Sequence, residues 1–566
     1  MKGEAKLPYQ NYPTEVYEDL RQLMQASAQQ FADKPFFLEN QGEHPTQISF
    51  CEFKKRVEAL GTALWARGFK GKKIFICGKN SSTWAISYMA VVCGLGIAVP
   101  IDRELPPEEI ATLADSGGVE AIIAPAALLS RVAKLCPTLR RIAFEDLPIL
   151  IAKGEKLLTS GKKAYQNAPI DPNALAVLLY TSGTTGKRKG VMLSHKNLCF
   201  NLSEMCRMIY IDEHDVFLSV LPLHHAYECT CGFLCPMYRG AAVAFGKGLR
   251  YLPRDLRVFR PTVMLCVPML IETLYERIWA DIRKKGMAKK TRAAIKATDA
   301  IVAENLRISA KRKTFATVHA SLGGRLRLLI SGGAEVNPDV LAGFRAFGIM
   351  ALQGYGLSEC APLAALNRDR YFNDRSAGLA TPNTLLDIFE AQDEGKGEIR
   401  FKGDNVMLGY YGDPDGSAEV LRDGWLYTGD LGYVDENGFL FITGRKKNII
   451  VTPSGKNVSP EELEELLDRR PYIKESLVML GKHHKTKKPA VVAVVVPDFD
   501  KMAQTYGKGF TRAELELEMK RAVAEVNSGM QSYKRIESYL IRTDPFPKNS
   551  AKKILREEVK KAPLGE

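Results

Sequence analysis

Residues 174–190 read Ala-Leu-Ala-Val-Leu-Leu-Tyr-Thr-Ser-Gly-Thr-Thr-Gly-Lys-Arg-Lys-Gly, and two kinds of chemistry follow one another in that stretch. Residues 174–179 form an unbroken apolar run, the pattern of a strand buried on both faces. Gly183, Gly186 and Gly190 come next, among hydroxyls on Thr181, Ser182, Thr184 and Thr185 and the cations Lys187, Arg188 and Lys189. Glycines let a backbone approach a ligand closely, so that successive N–H groups converge on an anion. A strand running into such a loop is a polyphosphate cradle. Its spacing is not that of the common P-loop, which needs glycine at 181 and Ser or Thr at 188, where this chain has Thr181 and Arg188.

Outward from the loop, helical patterns alternate with short apolar runs. Residues 50–68 read as a helix, 73–77 as a strand, 84–93 as a helix, 97–100 as a strand, 106–116 as a helix and 121–124 as a strand. The alternation returns around strands at 216–221, 262–267, 326–330 and 349–353. Strands separated by helix-length segments imply βαβ units and a parallel sheet. After about residue 390 the texture changes. Residues 398–401, 425–427 and 438–441 are short and turn-bounded, as in antiparallel β-structure. Towards the end, Ser459-Pro460-Glu461-Glu462 reads as a helix start with Ser as N-cap and Pro at N1. Strands at 476–480 and 491–497, a helix over 512–526 and a strand at 536–541 complete a compact α+β unit. The expected fold is therefore α/β. A large N-terminal region, 1–446, has several subdomains built on parallel βαβ sheets plus a small antiparallel unit. A smaller α+β domain, 447–566, follows, with the boundary at Gly444-Arg445-Lys446-Lys447-Asn448.

At 566 residues, with 46% hydrophobic and 25% charged, the chain is neither disordered, collagen-like nor a disulfide-stapled miniprotein. Its net charge of +14 favours anionic partners such as nucleotides, phosphorylated carriers, nucleic acid or acidic lipid. Eleven scattered cysteines and an opening without an apolar signal core point to a reducing cytoplasm. Cys229, Cys231 and Cys235 match no common zinc spacing and read as buried thiols. The uncharged run 83–101 approaches the length of a membrane span, but Gly94, Gly96 and Pro100 divide it into a buried helix, a stop and a strand. Residues 283–313 carry eleven cations against Asp299 and Glu304. They read first as a solvated helical surface, with peripheral contact to an anionic inner membrane face as the sharper alternative. No aromatic residues are interleaved, which argues against nucleic acid.

Further motifs carry chemistry. Leu221-Pro222-Leu223-His224-His225-Ala226-Tyr227 holds two adjacent imidazoles, and Ser331-Gly332-Gly333-Ala334-Glu335 puts small residues at a strand's end, where a flat ring could pack. In Gln353-Gly354-Tyr355-Gly356-Leu357-Ser358-Glu359, Tyr355 offers a stacking face and Glu359 a hard oxygen suited to Mg²⁺. Asp430 sits in the turn of Trp425-Leu426-Tyr427-Thr428-Gly429-Asp430, where a carboxylate could accept two ribose hydroxyls. Ser454-Gly455-Lys456-Asn457 and Phe546-Pro547-Lys548-Asn549-Ser550-Ala551-Lys552-Lys553-Ile554-Leu555-Arg556 close the series.

In this order, across about residues 25–556, loop and motifs resemble the adenylate-forming enzymes: acyl-CoA synthetases, peptide-synthetase adenylation domains and luciferases. The resemblance implies ATP binding by Thr181, Ser182, Gly183, Thr184, Thr185, Gly186 and Lys187. Gly333, Ala334 and Glu335 would border the adenine, with Gln353, Gly354, Tyr355, Gly356 and Ser358, and Asp430 and Arg445 the ribose. The family more often has Thr where Ser358 stands. The resemblance assigns Mg²⁺ to Glu359 and Thr184, the acyl carboxylate to His225 rather than His224, and the catalytic charge to Lys553. Lys552 stands where the family usually has Gly, although Ile554 and Arg556 align Lys553. Lys447 becomes the pivot of a mobile C-terminal domain, and Gly455 the residue passing the thiol arm. The implied activity is ATP-dependent ligation of a long- or medium-chain fatty acid to CoA through acyl-AMP. The long segment 270–322 and the Lys-Lys motif resemble the fatty acyl branch. An acyl carrier protein as acceptor and an aryl acid as substrate are the alternatives.

Overall fold

The structure is a computed structural model that describes residues 10–40, 45–181, 188–391, 395–452, 456–507, 509–548 and 554–561. The chain divides into two compact units. The first comprises Met1–Leu386, Phe401–Leu426 and Glu436–Leu440; the second comprises Asp387–Arg400, Tyr427–Asp435 and Phe441–Glu566.

The first unit carries two large sheets. One has seven strands, in the order Gly409–Tyr410, Lys189–Ser194, Leu175–Thr181, Gly96–Ile101, Lys72–Cys77, Ala121–Ala124 and Arg140–Ala143. The last five run parallel, and the chain leaves Lys72–Cys77 first to one side and then to the other, a doubly wound arrangement. The other sheet has nine strands around a parallel core of Met350–Gly356, Leu328–Ser331, Val263–Cys266, Val216–Ser219, Ala242–Phe245 and Pro35–Asn40. Val263–Cys266 and Leu328–Ser331 are buried at every residue, which is why they read as continuous apolar runs rather than alternating ones.

The uncharged run near residue 90 folds as helix Ser82–Ala90, a π-turn Val91–Leu95 and strand Gly96–Ile101. Gly94 takes φ +128° at the turn, and a Cβ on Gly96 would lie 2.1 Å from the Lys72 carbonyl oxygen, so neither position admits a side chain. Among the described residues no helix is long and apolar enough to cross a membrane. The basic stretch forms the ends and bodies of Pro268–Lys284, Ala288–Asp299 and Glu304–Thr314. Lys311 departs from the solvated reading: it is buried, pairs with Asp299 at 2.6 Å and donates to the Arg345 carbonyl.

Asp215, only 3% exposed, ties the strands of the nine-stranded sheet together. It accepts from Arg327 through both oxygens, from Thr262 Oγ1 (2.6 Å) and from the Asp212 N–H (3.1 Å). Removing one partner of a buried pair strands the other, so Asp215→Ala is expected to cost about 3 kcal/mol. Chemical denaturation of the variant against the parent measures it.

In the second unit, Ile473–Lys482 pairs antiparallel and Ser538–Ile541 parallel with Pro489–Pro497. Pro460–Asp468 and Arg512–Ser528 contribute to the same core. Pro460 stands at N1 as its sequence implies, but Ser459 does not cap with its side chain. Its hydroxyl donates to the Thr443 carbonyl (2.6 Å).

Candidate active site

Parallel strands share a direction, so their C-terminal ends and the loops leaving them lie along one edge. In the nine-stranded sheet that edge brings together three of the motifs. Val216–Ser219 leads to His224 and His225, Leu328–Ser331 to Gly332–Glu335, and Met350–Gly356 carries Gly354, Tyr355 and Gly356 and leads to Ser358 and Glu359. Gly333, at φ +89°, turns the chain so that Gly333, Ala334 and Glu335 are exposed. A Cβ on Gly332 would meet the Tyr227 ring at 3.1 Å, while Tyr227 Oη donates to the Ile330 carbonyl (2.9 Å). Tyr355 is half-buried, its ring centroid 6.1 Å from that of Phe401. Gln353 is 4% exposed, and its amide is committed locally. Oε1 accepts from the Val336 N–H (3.1 Å), and Nε2 donates to the Asp374 and Ser376 carbonyls. Gln353 thus braces the glycine turn.

The seven-stranded sheet meets this edge. Asn80, just beyond strand Lys72–Cys77, donates to Ser219 Oγ (2.9 Å) and the Leu221 carbonyl (2.6 Å), and accepts from the Leu223 N–H (3.0 Å). Asp102, beyond Gly96–Ile101, lies 3.8 Å from His224 Nε2. His224 and His225 stack with centroids 4.2 Å apart. Burial, followed by the neighbouring His225, pushes the His224 pKa down to about 3, against the opposing pull of Asp102. His224 is therefore neutral at physiological pH.

The stretches flanking the glycine-rich segment form a hairpin stem. Leu175–Thr181 pairs antiparallel with Lys189–Ser194, with Thr181 opposite Lys189, and the Thr181 hydroxyl donates to the Lys189 carbonyl at 3.5 Å. Gly409–Tyr410 pairs across the hairpin, and the N–H groups of Leu408 and Tyr411 reach the carbonyls of Met192 and Gly190. That strap links the loop stem to the carboxylate. Lys189 Nζ lies 4.2 Å above the Tyr410 ring, and Tyr410 Oη donates to Glu359 Oε1 at 2.8 Å. Burial, then the Glu359 charge, raises the Tyr410 pKa, so the phenol remains a donor. Met407 N–H also donates to the Glu359 carbonyl (2.9 Å).

Among the described residues no group of three or more His, Cys, Asp or Glu converges on one point. A single carboxylate still suits Mg²⁺, which keeps waters and phosphate oxygens for most of its octahedron. Glu359, held by Tyr410 beside the loop stem, fits that demand.

Asp430 and Arg445 belong to the second unit and pair there. Arg445 Nε donates to Asp430 Oδ1 at 2.7 Å, and Asp430 is 6% exposed. Gly429 N–H and Lys446 Nζ both reach the Glu398 carboxylate, fixing the turn. Lys447 is exposed in the 3₁₀ turn Lys446–Asn448. Ser182, Gly183, Thr184, Thr185, Gly186, Lys187, Gly455, Lys552 and Lys553 lie outside the described residues.

Four supporting residues escape a motif search. Besides Asn80 and Tyr410, two asparagines on helix His195–Met208 reach across the site. Asn197 Nδ2 donates to the Asp404 and Val406 carbonyls, and Asn201 Nδ2 to those of Cys360 and Leu363. Their signal was available: polar residues on a buried helix face need partners.

Comparison with known proteins bears on this geometry directly. Residues 24–411 match the family model described as AMP-binding enzyme, and residues 447–562 that of the AMP-binding enzyme C-terminal domain. The chain belongs to the AMP-binding enzyme family. Relatives of this AMP-binding enzyme include long-chain-fatty-acid–CoA ligase 1 of Cavia porcellus, 28% identical over 94% of this chain and 83% of the relative. Long-chain-fatty-acid–CoA ligase 5 of Rattus norvegicus is 29% identical over 88% and 80%. Among solved structures, ATP-bound MatB from Rhodopseudomonas palustris superposes with a TM-score of 0.74 at 22% identity, covering 95% of this chain and 98% of that one. The anthranilate CoA ligase AuaEII with anthranoyl-AMP gives 0.75 at 19% identity, covering 97% and 98%. These two likenesses establish a shared fold.

Proposed function

We propose that this AMP-binding enzyme is an ATP-dependent acid–thiol ligase acting on a long- or medium-chain fatty acid and CoA. A carboxylate oxygen attacks the α-phosphorus of ATP, the α–β bridging P–O bond breaks, and pyrophosphate leaves an acyl-adenylate. A thiol sulfur then attacks the acyl carbon, losing its proton, and the C–O bond to AMP breaks.

The observation that carries this reading is the link from the phosphate-loop stem through Lys189 and Tyr410 to Glu359, on a chain of the AMP-binding family. Phosphorus-centred displacement needs alignment and charge neutralisation more than covalent help. Donors from Thr181 to Lys187 would cradle the phosphates, Tyr355 would face the purine, and Asp430, oriented by Arg445, would accept the ribose hydroxyls. Mg²⁺, when bound by Glu359 and Thr184, supplies positive charge to the polyphosphate. His225 would face the acid carboxylate. In this reading 447–566 turns about Lys447, presenting Lys553 for the first step and Gly455 for the second.

The names of the relatives at 28–29% identity support a fatty acid. Gly332→Val, which crowds the Tyr227 ring next to the histidine loop, is expected to raise the KM for the acid at least about five-fold and leave that for ATP unchanged. Steady-state kinetics in the two substrates separates these effects. The overall reading is tested by AMP release across saturated acids from butyric to stearic, with and without CoA. CoA-dependent release with the longer acids is expected; release with none of them overturns the substrate assignment.

A further inference from the structure

Glu228 takes no part in the chemistry above, yet it is 1% exposed inside the π-helical segment Tyr227–Leu234 that follows the two histidines. Ser219 Oγ donates to its Oε1, whereas Oε2 has no hydrogen-bond partner among the described residues. Gly232, one turn on, is what admits the carboxyl: a Cβ there would lie 2.8–2.9 Å from its carbon and both oxygens. A buried carboxylate with one oxygen unpartnered is costlier than the neutral acid, which carries no net charge.

Among the described residues no compensating cation stands at the carboxyl. On its own segment stand Tyr227, Cys229 and Cys231, whose pKa values burial raises first of all. From the elements packed on this segment, Tyr88 of helix Ser82–Ala90 meets Cys229, Cys266 of strand Val263–Cys266 meets Tyr227, and Cys235 of helix Cys235–Arg239 meets Cys231. Helix His195–Met208 brings Cys206 and also Glu204, which pairs with Arg207. Arg239 donates instead to the Pro13 and Cys206 carbonyls. Burial accordingly raises the Glu228 pKa to about 8, the Ser219 hydrogen bond opposing it.

Ser219 is also the residue that Asn80 holds, and Asn80 clasps both Leu221 and Leu223. A continuous path thus runs from Glu228 through Ser219 and Asn80 into the loop that presents His224 and His225. We infer that Glu228 is a positioning residue for acid activation: its buried carboxyl locks Ser219 and Asn80, and with them the histidine loop. The inference rests on the ligase reading for its rate readout and on folding alone for its second readout.

The experiment follows fatty-acid-dependent exchange of pyrophosphate into ATP, a thiol-free half-reaction, from about pH 6 to about pH 9.5. The parent is expected to lose exchange above about pH 8 on a one-proton limb. Glu228→Gln, a permanent mimic of the neutral acid, keeps the rate near pH 7 and lacks that limb. Glu228→Ala and Ser219→Ala lose at least about ten-fold in kcat near pH 7, with the KM for ATP unchanged. A Gln variant with the parental limb, or Ala variants with parental kcat, overturns the inference. If Glu228→Ala does not fold, Ser219→Ala decides. Thermal unfolding supplies the turnover-independent test. A carboxyl whose pKa is raised on folding loses stability as pH climbs from its unfolded value to its folded one. The parental midpoint should therefore fall relative to Glu228→Gln between about pH 5 and about pH 9, and parallel curves overturn the inference whatever the exchange assay yields. Absence of exchange in parent and variants alike, with diverging midpoints, instead counts against the ligase reading.

Discussion

Lys553→Ala is expected to slow fatty-acid-dependent pyrophosphate exchange by at least about 100-fold, the scale of losing one preorganised charge-stabilising donor. Thiolysis of supplied acyl-adenylate should survive. The segment bearing Lys553 is pinched at its base. Lys548 and Ile554 form a bridge, the Leu555 N–H donates to the Pro547 carbonyl (2.9 Å), and Arg556 pairs with Glu464. Such anchoring fixes the residues flanking that segment on the second unit. In the proposed reaction its charge would be needed while negative charge builds on the departing pyrophosphate, and would be idle once the adenylate exists. Equal losses in both half-reactions would remove the proposed role. Lys552→Ala, expected to stay within about three-fold of the parent, discriminates between the adjacent lysines.

Glu359→Gln is expected to have the next largest effect, about 100-fold on exchange, with a steeper demand for added Mg²⁺. Glutamine preserves the shape and the acceptor that Tyr410 addresses, so the loss reports the missing charge. Tyr410→Phe removes only the orienting phenol, and a smaller loss, about five-fold, is expected. Titrating Mg²⁺ at fixed ATP measures both. A Gln variant with the parental Mg²⁺ dependence would remove the carboxylate from metal binding.

The strands were legible because nearly every parallel strand here is buried on both faces and so spells an apolar run; Val263–Cys266 and Leu328–Ser331 fall within residue or two of their sequence reading. Motif residues were legible where backbone geometry dictates residue type, as at Gly333 with its positive φ. What escaped depends on partners remote in the chain. Nothing around Asn80 says that it will clasp a loop some 140 residues later. Ser459 has a capping sequence, yet it bonds Thr443, because only the folded arrangement brings that acceptor near. Glu228 looks like one more surface acid until its burial is known.

The strap Gly409–Tyr410 forms the outer edge of the seven-stranded sheet beside Lys189–Ser194. During synthesis, more than two hundred residues must emerge after that hairpin before its edge is covered, roughly ten to forty seconds at ordinary elongation rates. Until then the nascent polypeptide exposes an unpaired ladder of amides and carbonyls, the natural template for illicit pairing. Vectorial production of this protein therefore has a vulnerable window. Ribosome-bound fragments ending short of residue 411 should be the species that chaperones hold longest.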